Sequence, residues 1–286
     1  MIVYLNARYL PKEEARISPD DRGFLFGDGV YEVVRAHAGK LFRADAHWER
    51  LRNSLGATEI VGPTDAEVQN IAETLLDRNA LHSGEATVYL QITRGVASRK
   101  HGYPQPPVPA TVYGCAATFT PLHEKWNSGV RVITAPDHRW GRCDIKSISL
   151  LPSILANRQA QVAGVHEALL VRAGAVTEGS HTNFAAVRNG TLLTHPANNL
   201  ILNGITRVVV LELCKELAIP VRESPVPESD LPALDEAMLL GTTNDVMPVV
   251  QINDGKIGDA KPGPVTRRLQ QALQELVEWE KSAAVL

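Results

Sequence analysis

Two amphipathic helical patterns enclosed by short β-branched runs do most to limit the folds open to this chain. Ile2–Leu5, Ala86–Thr93 and Thr111–Thr118 read as strands. Ala44–Leu55, with Trp48, Leu51 and Leu55 at helical spacing, reads as a helix. So does Asp65–Arg78, with Val68, Ile71, Leu75 and Leu76 on one side. Blocks of this kind predict an α+β arrangement for the first part of the chain. The polar, turn-rich stretch from Thr120 to Gly129 is the candidate boundary. Strands resume at Val130–Ala135, Glu167–Val171, Asn183–Val187, Pro220–Glu223, Ala237–Leu240 and Val249–Ile252, with helices expected at Ser153–Val162, Arg207–Leu217 and Pro264–Trp279. The expected organisation is therefore a small N-terminal α/β domain at 1–120, a linker at 121–128 and a larger C-terminal domain at 129–286. A length of 286 residues allows each domain a core of its own.

A hydrophobic content of 44% and a charged content of 21% belong to a globular chain, and a net charge of −3 offers no footprint for nucleic acid or an anionic membrane. No segment reaches the run of about 18 apolar residues that spans a bilayer. The N-terminus lacks a basic start followed by a long apolar stretch, so no secretory leader is expected. Cys115, Cys143 and Cys214 are odd in number and far apart, which suits neither a disulfide framework nor a metal site. The expected compartment is cytoplasmic.

Lys146 lies in Cys143-Asp144-Ile145-Lys146-Ser147-Ile148-Ser149-Leu150, a stretch with strand-like alternation. If extended, it shares a face with Ile148 and Leu150. An ammonium on an apolar face is costly unless it is paired or loses its proton, and only a neutral amine attacks a carbonyl. On position alone, a lysine reaching from a strand end to water is the commoner arrangement. Other segments change that balance. Asn203-Gly204-Ile205-Thr206-Arg207 runs into an apolar helix that Thr206 can cap, and the amides of its first turn suit a phosphate. Gly241-Thr242-Thr243-Asn244 follows a strand and can add donors, while Arg50 can add a charge-assisted contact. Glu178, expected in a loop between two strands, can pair with a ring nitrogen. An amine, a carboxylate and two phosphate loops form the kit for pyridoxal 5′-phosphate.

The chain resembles the fold-type IV pyridoxal-phosphate enzymes, and within them the bacterial D-amino acid transaminases. The resemblance is carried by Asp21–Glu32, Arg139–Ser147, Thr177–Ser180, His195–Asn199, Leu202–Arg207 and Gly241–Thr243, in the family order over almost the whole chain. It implies a two-domain α+β fold and a homodimer. Lys146 is expected to form the Schiff base and shuttle the proton, and Glu178 to pair with the pyridine nitrogen. Arg50, Ile205, Thr206 and Thr243 are expected to hold the phosphate. Arg99 and His101, with Tyr31, are expected to trap the substrate α-carboxylate and so select D-amino acids. His181, Thr182 and Ala185 depart from the family pattern and bear on pocket volume.

The implied reaction is ping-pong transamination from a D-amino acid such as D-alanine to a 2-oxo acid such as 2-oxoglutarate. Two other activities share the fold. An L-branched-chain aminotransferase is disfavoured by Arg99-Lys100-His101 and by Val33-Val34. An aminodeoxychorismate lyase would use Lys146 to eliminate pyruvate without an acceptor, and the Arg99/His101 pair argues against it.

Overall fold

The computed structural model describes residues 1–283, which divide into two compact units. One unit is Met1–Thr120 with Ile145–Ser149; the other is Pro121–Asp144 with Leu150–Ser282. Each pairs a sheet with helices, so the chain is α+β as expected.

The first unit is built on strands β1 (Ile2–Leu5), β2 (Arg8–Pro11), β3 (Gly29–His37), β4 (Lys40–Leu41), β5 (Glu85–Thr93) and β6 (Thr111–Thr118), with helices α1 (Arg22–Phe26), α2 (Ala44–Thr58) and α3 (Asp65–Arg78). The strands form an antiparallel sheet in the order β2-β1-β6-β5-β3-β4. One face of β3, Val30, Glu32, Val34 and Ala36, is buried. Val30, Val34 and Ala36 share a core with Trp48 and Leu51 of α2 and with Ile71 and Leu75 of α3. α3 is closed at its start by a reciprocal cap: the Thr64 hydroxyl accepts from the Glu67 amide while the Glu67 carboxylate accepts from the Thr64 amide. β3 was not anticipated as a strand, because Glu32 interrupts the apolar alternation on its inner face.

The second unit opens with α4 (His123–Ser128), so most of the segment expected to be a linker is a short helix. β7 (Val130–Pro136) and β8 (Glu167–Arg172) are parallel neighbours, and α5 (Leu151–Val162) lies between them in the chain. Parallel neighbours need such a crossover. There follow β9 (Ala175–Gly179), β10 (Asn183–Arg188), β11 (Thr191–Thr194), α6 (Ile205–Glu216), β12 (Val221–Glu223), β13 (Val226–Pro227), β14 (Glu236–Gly241), β15 (Asp245–Ile252), β16 (Gly255–Lys256) and α7 (Pro264–Ala283). The sheet order is β12-β11-β10-β14-β15-β7-β8-β9-β13, with β16 on β15. Its core is Val132, Leu169, Phe184, Leu239 and Met247 among others. Among the described residues no helix is long and apolar enough to cross a membrane.

Ile145–Ser149 groups with the first unit, not with the larger unit to which the sequence reading assigned Lys146. The reason is local pairing. Tyr31 donates its amide to the Lys146 carbonyl at 3.0 Å, Ile148 donates to the Gly29 carbonyl at 3.1 Å, and Ser147 bridges Val30.

Candidate active site

The lysine segment is not a regular strand. Ser147 donates its amide back to the Ile145 carbonyl at 2.8 Å, a tight turn that breaks the alternation. Ile145 is the buried member, while Leu150 is exposed. What locates Lys146 is its backbone: its amide donates to Ser54 Oγ of α2 at 3.2 Å and its carbonyl accepts from Tyr31 of β3. The side chain is half-buried, with Nζ 4.4 Å from the centroid of the Tyr31 ring. Tyr31 in turn lies against Tyr89, centroids 5.7 Å apart, and the Tyr89 hydroxyl donates to Gln91 Oε1 at 2.6 Å. Burial, with Tyr31 beside it, pushes the Tyr89 phenol up to about 12.

Arg50 lies on α2, with its side chain largely covered. Its Nε donates to Glu32 Oε1 at 2.7 Å and its Nη2 to Glu32 Oε2 at 2.8 Å, and His47 Nδ1 lies 2.8 Å from Oε2. Burial alone would raise the Glu32 carboxyl, but Arg50 and then His47 hold it well below the ordinary carboxylate range. His47 is lowered, chiefly by burial, which outweighs the pull of Glu32; the nearby Arg50 and Lys146 charges add smaller pushes in the same direction. Arg99 and His101 are exposed in a loop, where both pack on Phe26.

The second unit carries the other expected residues. Glu178 is on β9, not in a loop, and is buried. It accepts from Arg139 Nη1, from Asn183 Nδ2 at 2.8 Å and from the Leu202 amide at 3.1 Å. Arg139 is divided between two carboxylates, since its Nη2 also donates to Asp137 Oδ2 at 2.8 Å. Burial raises the Glu178 carboxyl to about 7; Arg139 and the Leu202 amide oppose the rise, and the Asp137 charge adds to it. Asp137, which Arg139 and Arg172 both reach, is held at about 2 despite its own burial.

Asn183 connects this carboxylate to the helix start. Its Nδ2 also donates to the Leu202 carbonyl at 2.8 Å, and a Cβ on Gly204 would lie 2.0 Å from its Oδ1. Gly204 is thus required by close approach, and it is the residue that caps α6. Thr206 does not cap: it is the second residue of the helix, and no side chain caps this end. The first helical bond runs from the Val208 amide to the Gly204 carbonyl at 3.0 Å, so the amides of Ile205, Thr206 and Arg207 have no acceptor within the helix. Thr243 is half-buried in the turn joining β14 to β15, a turn closed by the Asn244 amide on the Gly241 carbonyl at 3.0 Å.

Asp137, Arg139, Asn183, Glu32 and His47 were given no role from sequence. Arg139 stood inside a matched segment, and Glu32 inside a valine-rich strand, a placement that signals a buried charge. Asp137 carried no local signal. Of the departures, Ala185 and Thr182 are buried, while His181, half-exposed, has Nδ1 3.2 Å from the buried Glu167 carboxylate.

Residues 29–252 match the family described as amino-transferase class IV. This chain is a class IV amino-transferase. The D-alanine aminotransferase of Staphylococcus haemolyticus is 38% identical over 281 residues, covering 98% of this chain and 99% of that protein. The D-alanine aminotransferase of Bacillus licheniformis is 40% identical over 286 residues and covers 100% of both. Among solved structures, the branched-chain amino acid aminotransferase of Escherichia coli has a TM-score of 0.91 at 25% identity, covering 96% of this chain and 94% of that one. The T.th. branched-chain amino acid aminotransferase with pyridoxamine 5′-phosphate has a TM-score of 0.88 at 28% identity, covering 96% and 93%. The fold of this class IV amino-transferase is the fold-type IV arrangement expected from its motifs.

Proposed function

We propose that this amino-transferase uses pyridoxal 5′-phosphate to move the amino group of a D-amino acid, such as D-alanine, to a 2-oxo acid, such as 2-oxoglutarate, in a ping-pong cycle. The observation that carries the reading is Lys146, with its backbone tied on both sides and its amine over Tyr31, in a chain that aligns end to end with D-alanine aminotransferases.

The residues fit this cofactor. The free amides opening α6 suit a phosphate. Glu178 is a buried carboxylate whose one arginine is shared with Asp137, so a protonated ring nitrogen would supply the positive charge it lacks. When bound, pyridoxal 5′-phosphate supplies an aldehyde for the lysine and a sink for the electrons left at the substrate Cα. Ile205 and Thr206 would hold the phosphate through their amides, joined by Thr243 and Arg50. Glu178 would accept the hydrogen bond of the ring N–H. Lys146 Nζ takes a proton from the substrate Cα in one half-reaction and returns one to the corresponding carbon in the other.

Arg99 and His101, with Tyr31, would bind the substrate α-carboxylate through charge-assisted hydrogen bonds. Lys146 serves one face of the substrate, so the side on which the carboxylate is held selects the hand of the amino acid. An L-branched-chain reading is favoured by one observation, the branched-chain identity of similar solved structures. The full-length D-alanine aminotransferase relatives, at higher identity, favour the D-reading.

A homodimer in the cytoplasm completes the proposal. What supports the dimer is α5, where Leu151, Ile154, Leu155 and Val162 form an exposed apolar stripe. Light scattering checks it.

The first test is the near-visible spectrum of the purified holoenzyme after D-alanine, or separately L-leucine, is added without acceptor. Loss of the lysine-bound cofactor band with D-alanine alone is expected. Loss with L-leucine alone moves the protein to the branched-chain group. Lys146→Ala is expected to abolish transamination with the fold retained, as circular dichroism checks; full activity would overturn the mechanism.

A further inference from the structure

Arg22 is a buried arginine that no step above uses. It opens α1, whose start is capped by the Asp21 carboxylate accepting from the Gly23 amide at 2.8 Å. Its Nε donates to Asp28 Oδ2 at 2.8 Å. The rest of the guanidinium turns to the loop that carries Arg99 and His101. Nη1 donates to the Lys100 carbonyl at 2.6 Å and reaches the Gly102 carbonyl at 3.3 Å, and Nη2 reaches the His101 carbonyl at 3.5 Å. One planar fork thus engages three successive carbonyls of a segment that has no helix or strand ladder of its own.

Phe26, at the other end of the same short helix, meets the side chains of that loop. Its ring centroid is 4.8 Å from the Arg22 guanidinium carbon, 5.3 Å from that of Arg99 and 5.7 Å from the His101 ring centroid. Asp28 completes the arrangement. It also accepts from Arg94 Nε at 2.8 Å and Nη2 at 3.0 Å, and Arg94 donates onward to the carbonyls of Thr58 and Glu59 at 2.7 and 3.1 Å. Arg94 and Arg22 together keep Asp28 ionised, although burial works against it. The backbone of the loop is therefore tied through Arg22 and Asp28 to the end of α2. Its two basic side chains both lie against the Phe26 ring.

We propose that Arg22, Phe26 and Asp28 are positioning residues for substrate binding: Arg22, held by Asp28, fixes the backbone of Lys100–Gly102, and Phe26 orients Arg99 and His101 above it. The proposal rests on the reading of Arg99 and His101 as the carboxylate-binding pair. These three residues touch no substrate in this scheme and act only through the loop. Their loss should therefore raise KM for the amino acid while leaving kcat and cofactor retention close to the parent values. A displaced loop is costly because binding a carboxylate with two groups depends on their relative placement.

The test uses the holoenzyme and two variants, Arg22→Met and Phe26→Leu. Hydrogen exchange followed by mass spectrometry reads the loop directly, and D-alanine kinetics read its consequence. Exchange of peptides covering 96–103 is expected to accelerate, with the rest of the protein unchanged. KM is expected to rise roughly tenfold in each variant, and the rise is expected to vanish when the same change is made on an Arg99→Ala background. Unchanged exchange in the loop, or a KM rise that persists undiminished without Arg99, overturns the proposal. Should Arg22→Met fail to fold, Phe26→Leu carries both readouts, since it keeps apolar bulk and removes the π face. Failure of the underlying reading looks different: Arg99→Ala would then leave KM unchanged, while loop exchange would still report whether Arg22 and Phe26 hold the backbone.

Discussion

Glu32 in the first unit and Glu178 in the second are both strand carboxylates, both buried and both beside an arginine, yet they are driven in opposite directions. Glu32 is held well below the ordinary carboxylate range, whereas Glu178 rises to about 7. Burial is the leading influence on each and pushes both upward, so burial cannot be the difference. The donors are. Glu32 takes two nitrogens of Arg50 and a ring nitrogen of His47, with a donor on each oxygen. Glu178 takes one nitrogen of a guanidinium that also serves Asp137, and its remaining donors are a neutral amide side chain and a backbone amide. A carboxylate with its own arginine is a closed ion pair. One that shares its arginine is left short of positive charge, as the proposed pairing with a ring nitrogen requires.

The largest effect should come from removing the closed pair's carboxylate. Glu32→Ala leaves Arg50 and His47 buried without their anion, which generally costs about 3–5 kcal/mol. Thermal unfolding should show it, and a melting temperature within a degree or two of the parent's would mean that the pair is not closed. Glu178→Gln should behave oppositely. The fold should survive nearly intact, while the rate of transamination falls by roughly 10²–10³-fold, the range for losing one preorganised electrostatic partner. Equal stability losses in the two variants would mean that the two carboxylates do not differ in how their charge is balanced.

A third test uses pH. A carboxyl raised in the folded state binds more protons there than in the unfolded chain, between its ordinary value of 4.5 and about 7. Stability of the cofactor-free protein from this group is therefore greatest below 4.5 and is lost as pH rises towards and through 7. The melting temperature of the cofactor-free protein should fall across that window, and Glu178→Gln should flatten the fall. Glu32, being depressed, has the reverse sign: its contribution is present above its ordinary value and is lost only as pH drops well below it. The smallest effect is expected of Asp137→Asn, which leaves Arg139 to Glu178 alone. The Glu178 titration should move below about 7, read as a shift of the same melting profile; a move upward would exclude Asp137 as a contributor to the rise.

How much of this could be read in advance depends on how local the cause is. The helix Asp65–Arg78 and the strand Thr111–Thr118 are legible to the residue, because the helical spacing of Val68, Ile71, Leu75 and Leu76 and an apolar, β-branched run act over a few positions. Ala44–Leu55 was found, but it continues to Thr58 in the fold. β3 is hidden in the sequence pattern because its inner face holds Glu32, whose burial makes sense only once Arg50 and His47 lie against it. The alternation around Lys146 suggested a strand, but the Ser147–Ile145 turn and the bonds to Tyr31 and Ser54 set its course instead. Thr206 looked like a cap, and Gly204 took that place because Asn183 presses against it.

The sequence by itself determined the order of the motifs, the amine, the carboxylate and the phosphate-suited helix start, and with them the family. Those are matters of residue type and short spacing. Only the tertiary structure decided which carboxylate is closed and which is left open. It brought Asp137 and Arg139 to Glu178 across some forty residues of chain, and Arg22 to the carbonyls of a loop nearly eighty residues away. Charge balance at a buried site is a sum over neighbours in space, and neighbours in space are what a sequence does not state.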